Sequence, residues 1–78
     1  MTLHQTITRT VDGTRYTVNH GSIALIAARR ENARGASPRD HVMILTGLRN
    51  EIADRMGIDR RTASRLLATI TYGQLFTR

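Results

Sequence analysis

Apolar and polar residues alternate over residues 5–19, and beyond them apolar residues recur at three- and four-residue intervals. That change of period predicts a β-hairpin followed by helices. The hairpin segment QTITRTVDGTRYTVN carries an Asp-Gly pair suited to a two-residue type I′ turn. With Asp12 and Gly13 as the loop, Val11 faces Thr14, Arg9 faces Tyr16 and Ile7 faces Val18. Ile7, Val11, Tyr16 and Val18 then share one face, and Thr6, Thr8, Thr10, Arg15, Thr17 and Asn19 share the other. A one-residue slip would mix the two sets, so the register is specified.

A first helix is predicted over residues 22–34, with Ser22 as its N-cap and Ile23, Ile26, Ala27 and Ala33 or Arg30 at helical spacing. Gly35 stands where a left-handed C-terminal residue is expected. Ser37-Pro38-Arg39-Asp40 is a second helix start: a serine cap, proline at the first helical position and an acid at the third, close to a capping box. From there Val42, Leu45, Leu48, Ile52 and Met56 form one apolar stripe up to Gly57. Gly47 leaves two readings open, a single helix over 38–56 or two helices broken there. Asp59 caps a last helix whose buried face is Ala63, Leu66, Leu67 and Ile70; Tyr72-Gly73 ends it, and the residues after it are available for a strand. The predicted fold class is mainly α with a small β-hairpin.

At 78 residues the chain is expected to form one domain, at the lower limit of what buries a self-sufficient core. It has no cysteine, which removes disulfides and thiolate metal sites and leaves self-association as the expected support, hence an expected homodimer. His4, His20 and His41 lack ligand-like spacing, so no metal and no cofactor is expected. Residues 1–20 are threonine-rich without an apolar leader segment, and no run is long enough to span a membrane, so a soluble cytoplasmic protein is expected. Twelve arginines and no lysine stand against six acidic residues, a formal net charge of +6. On so small a domain this surplus favours anionic partners, nucleic acid first.

The segment RNEIADRMGIDRRTASRLLATI, residues 49–70, resembles the helix-turn-helix of bacterial and phage transcription regulators. Ala53 is small where two helices cross, Gly57 permits a left-handed turn, Ile58 fills the space between the helices and Asp59 caps the second. GIDRRTASRLLATI is also similar to the recognition-helix segment of MarR-type and IclR-type winged-helix repressors. The resemblance implies a single helix-turn-helix, winged-helix-like domain over 1–78, with the hairpin at about 5–19 and the motif at about 49–70. It also implies that the last helix enters the major groove of double-stranded DNA. Two departures stand out. No wing hairpin follows that helix, so the wing is either absent or supplied by the N-terminal hairpin, which could pair with residues 74–76 in a three-stranded sheet. Ala63 also occupies a position where such motifs more often carry valine or isoleucine.

Arg60, Arg61, Ser64, Arg65, Ala68 and Thr69 lie off the buried stripe, and no acid occurs between Arg60 and Tyr72. Arg60, Arg61 and Arg65 are the candidates for guanine or phosphate, and Thr62, Ser64 and Thr69 for phosphate or a base edge; Arg49, Asn50 and Arg15 are further candidates for phosphate. The expected function is a sequence-specific DNA binder, a small repressor or phage-type regulator, nucleoid-associated when bound. The alternative is a module or phage-type inhibitor that binds a protein partner with the same basic face or with the hairpin edge. RNA binding is disfavoured because Tyr16, Tyr72 and Phe76 are too few and scattered for a base-stacking platform. No enzyme is expected, since no nucleophile elbow, phosphate loop or carboxylate pair occurs. The hairpin's apolar face and the 22–34 helix, through Leu25 and Ala28, are the candidate dimer surfaces.

Overall fold

A computed structural model describes residues 1–77 in the order β1 (Thr6–Val11), β2 (Thr14–Asn19), α1 (His20–Arg34), α2 (Pro38–Met56), α3 (Arg60–Ala68) and a closing 3-10 turn (Tyr72–Leu75). The strands pair antiparallel in the expected register, Ile7 with Val18, Arg9 with Tyr16 and Val11 with Thr14. Asp12 and Gly13 both take positive φ, 50° and 82°, as a type I′ turn requires. Ile7, Val11 and Val18 are buried against the helices, where they meet Ile23 and Ile26 of α1, Leu48 and Ile52 of α2, and Leu66 with the following Ile70. The result is a mostly helical, winged-helix-like domain with the hairpin at its N-terminus. Burial of the hairpin's apolar face inside its own core removes that face as a dimer surface. Leu25 is likewise half-buried against the core.

α1 starts earlier than expected. Asn19, still extended at φ −79° and ψ 169°, is the N-cap, and its side chain accepts from the backbone amide of Ser22 at 2.9 Å. Ser22 is therefore inside the first turn and buried, with its Oγ accepting from Arg55 at 3.5 Å. Gly35 is not left-handed either, at φ −93° and ψ 1°. The carbonyl of Ala33 accepts instead from the Ala36 amide at 3.2 Å and from Nδ1 of His41 at 2.9 Å, so α1 ends without a left-handed residue.

α2 runs unbroken through Gly47 for 19 residues. Leu48 and Ile52 are buried on the far side of the glycine and Leu45 is half-buried before it. That continuous burial outweighs the roughly 1 kcal/mol by which glycine disfavours a helix. The serine cap is as expected, Ser37 accepting from the Asp40 amide at 3.3 Å. Val42 departs from the predicted stripe and is 62% exposed, on the wall of an open groove between α2 and α3 rather than in the core.

The third strand expected from residues 74–76 does not form; the sheet has two strands. Gln74 accepts from the Thr71 amide at 2.9 Å and winds the chain into the closing turn, which buries Leu75. Phe76 then bridges Leu3, ahead of β1, with the His4 amide donating to the Leu75 carbonyl at 2.9 Å and the Thr77 amide to Thr2 at 2.6 Å. Tyr72 packs on Phe76 at 5.2 Å and lies under the Arg34 guanidinium, which holds this end of the chain on α1. Among the described residues no helix is long and apolar enough to cross a membrane.

Candidate nucleic-acid interface

The join between α2 and α3 follows from three residues. Gly57 ends α2 in the left-handed region at φ 65° and ψ 35°, a conformation that costs a residue with a Cβ but not glycine. The Ile58 amide then turns back to the Ala53 carbonyl at 3.0 Å, and Ala53, only 4% exposed, leaves room for the crossing. Asp59, extended, accepts from the Thr62 amide at 2.7 Å and starts α3. The Thr62 hydroxyl and amide, together with the charge of Arg61, hold the Asp59 carboxyl below its ordinary range.

A depressed carboxyl stabilises the fold above the unfolded-state pKa and loses that contribution as pH falls through its folded-state value. Asp59→Ala is therefore expected to loosen α3 at neutral pH and to flatten the acid side of the stability profile. Urea unfolding followed by circular dichroism at neutral and acidic pH checks this; parallel profiles for the two proteins would count against the cap.

α3 has nine residues and sorts them sharply. Ala63, Leu66 and Leu67 face the core, so the small residue at position 63 leaves no exposed gap. Arg60, Arg61, Ser64, Arg65 and Ala68 are exposed. Its C-terminal end is clamped by Arg30 of α1, whose Nη2 donates to the Leu67 carbonyl at 2.7 Å and whose Nη1 donates to the Ile70 carbonyl. Burial lowers the pKa of Arg30 from its ordinary value.

On one side of α3 lies the hairpin. The Arg65 guanidinium meets the Asp12 carboxylate at the hairpin tip, with Nη1 2.6 Å from Oδ1, and Arg9 donates from Nε to the Thr69 carbonyl at 3.5 Å. On the other side an open groove of about 400 Å³ separates Ser64 and Ala68 from Val42, Leu45, Thr46 and Arg49 of α2.

The remaining candidates are placed differently. Thr62 is half-buried and turned to the Asp59 cap, and the Thr69 hydroxyl donates to the Leu66 carbonyl at 2.6 Å. Arg49 is half-buried on the groove wall and bonds Asn50 Oδ1 at 3.1 Å. Arg15 is exposed on the outer face of the hairpin, opposite Thr10. Exposed side chains of the α3 face are thus brought together, while Arg15 stands apart on the hairpin. Arg30, Arg9 and Asp12 were not among the expected site residues. Only Arg30 left a trace, an arginine at a position of the α1 apolar spacing.

Among the described residues no three His, Cys, Asp or Glu side chains are grouped as a metal site. Comparison of the chain with protein-family models, with curated proteins and with solved structures gives no match in any of the three.

Proposed function

We propose that this chain binds double-stranded DNA sequence-specifically and acts as a small transcription regulator, with α3 in the major groove and the hairpin beside it. The observation that carries this reading is the outward face of α3. It presents Arg60, Arg61, Ser64 and Arg65 with no acid of its own, and it follows a left-handed glycine turn and a capped start. An α-helix fits the major groove, and arginine presents a planar fork to guanine O6 and N7 or to phosphate. Exposed arginines on a surface helix are common, so what weighs here is their convergence on one short helix that is pinned at both ends. Two copies on half-sites about one helical turn apart complete the proposal. Sedimentation of the protein–duplex complex gives that stoichiometry.

One observation favours a protein partner instead, the exposure of Val42 and Met43 on the first turns of α2. Salt separates the two readings. For DNA, log K falls by about 0.9 per phosphate neutralised for each tenfold rise in salt, whereas a protein complex that neutralises no polyanion lacks that dependence. Arg61→Ala is expected to weaken specific binding by about 1 to 3 kcal/mol if Arg61 grips a base, or to reduce the salt slope by about one if it grips a phosphate. Fluorescence anisotropy on a labelled duplex over a salt series reads both quantities, and an affinity and slope untouched by Arg61→Ala would defeat the assignment of α3.

A further inference from the structure

The contact between Asp12 and Arg65 joins residues 53 positions apart. Both side chains are largely in solvent, 65% and 47% exposed, and such a pair adds little to stability. Nor does the hairpin need it for docking, because Ile7, Val11 and Val18 are already buried in the core and Arg9 reaches the Thr69 carbonyl. The pair is monodentate on the arginine side. A single nitrogen, Nη1, serves both carboxylate oxygens, at 2.6 Å to Oδ1 and 2.5 Å to Oδ2. Nε and Nη2 of Arg65 have no acceptor among the described residues. That free edge is one of the two-donor forks that match O6 and N7 of guanine.

We propose that Asp12 is a positioning residue for base recognition, holding Arg65 by Nη1 so that its Nε–Nη2 edge is presented to a guanine in the major groove. The proposal rests on the DNA-binding reading of α3. An unrestrained arginine spends its rotamer freedom when it binds a base, and one already held by a carboxylate loses less. The carboxylate also has an opposite effect, since its negative charge repels phosphates whatever the sequence. Removing that charge therefore separates the two roles: sequence discrimination falls while non-specific affinity holds or rises. A purely structural role for Asp12 would produce no such divergence.

Asp12→Asn is the suitable variant, because Asn-Gly is as good a type I′ turn as Asp-Gly. A randomised duplex library is selected in parallel with the wild-type chain, with Asp12→Asn and with Arg65→Ala, and each protein's affinity for bulk random-sequence duplex is measured alongside. The wild type is expected to enrich a guanine at a position where Arg65→Ala loses it. At that position Asp12→Asn should lower the preference roughly tenfold while keeping the rest of the motif, and its affinity for random duplex should equal or exceed that of the wild type.

An Asp12→Asn motif that retains the guanine would overturn the proposal, and so would uniform tightening with every preference intact. If the wild type enriches a motif and Asp12→Asn shares it, only the role of Asp12 falls. If the wild type enriches nothing, the DNA-binding reading itself falls and this proposal with it.

Discussion

Ile52→Ala is expected to leave the chain close to equally divided between folded and unfolded molecules at room temperature. Ile52 is fully buried one turn before the C-terminal end of α2, within the cluster where hairpin and helices meet. Truncating a buried isoleucine to alanine costs about 2 to 5 kcal/mol, through lost transfer energy plus the cavity left behind. A core in a chain of this length supplies only about 3 to 5 kcal/mol in total, so one such loss consumes most of it. Val42→Ala is the internal control. The same stripe predicts burial for Val42, but its 62% exposure limits the expected cost to about 0.5 kcal/mol. Urea denaturation of the three proteins followed by circular dichroism measures both changes. A Val42→Ala cost near that of Ile52→Ala would mean that the first turns of α2 are covered in solution.

The contrast between these two residues marks how far the fold can be read from the chain. Local signals carried through. The Asp12-Gly13 turn and its alternating flanks specified every pair in the hairpin, and the Gly57 turn and the Asp59 cap specified the start of α3. Each of these depends on residues within a few positions of one another, where backbone sterics and hydrogen-bond reach decide. The misreadings lie where a distant element decides instead. Val42 fits the apolar period, but no helix arrives to cover it. Ser22 is a good cap, yet the chain leaves β2 already shaped so that Asn19 caps first and Ser22 is drawn into the interior beside Arg55. Gly35 needs no left-handed turn because His41, eight residues beyond Ala33, satisfies the Ala33 carbonyl. Gln74 to Phe76 have strand-like character, but the local Thr71–Gln74 bonds and the pull of a buried Leu75 send them to Leu3 rather than to the hairpin.

The candidate site divides along the same line. The exposed arginines of α3 follow from its periodicity and cap alone. Their neighbours do not: Asp12 is fully accounted for locally as a turn residue, and nothing within its own hairpin shows that its carboxylate meets Arg65. An acid facing the proposed recognition surface changes what that surface could do, which is why the three-dimensional contact alters the functional proposal more than any adjustment of helix ends.

Arg30→Ala is expected to release the C-terminal end of α3 and to lower stability by about 2 to 4 kcal/mol, enough to unfold a large fraction of the chain. Hydrogen bonds to a charged group contribute about 1.5 to 3 kcal/mol each; truncation takes this partner from the Ile70 carbonyl and leaves the Leu67 carbonyl only its backbone donors such as the Ile70 amide at 3.2 Å, a loss partly offset by water reaching the exposed rim. A helix as short as α3 has little stability of its own, so its ends carry much of the burden. Asp59 holds the first turn, and the Arg30 guanidinium, positive and set against the carbonyl end of the helix dipole, holds the last. Arg30→Lys tests whether charge alone suffices. One ammonium on a flexible stem cannot reproduce a planar fork that reaches two carbonyls three residues apart, so only part of the stability should return. Hydrogen exchange locates the effect: the amides of Leu67 to Ile70 should lose protection first in Arg30→Lys, while those of the hairpin and of the α1–α2 contact lose less. The same substitution links stability to recognition. Arg61 and Arg65 belong to a helix bonded at both ends, so on the DNA-binding proposal Arg30→Lys should also weaken binding to the duplex, although Arg30 is itself turned toward the α3 carbonyls. If Arg30→Lys bound as tightly as the wild type while α3 exchanged freely, the helix would be shown to regain its order on the duplex, and a clamp from α1 would not be required for recognition.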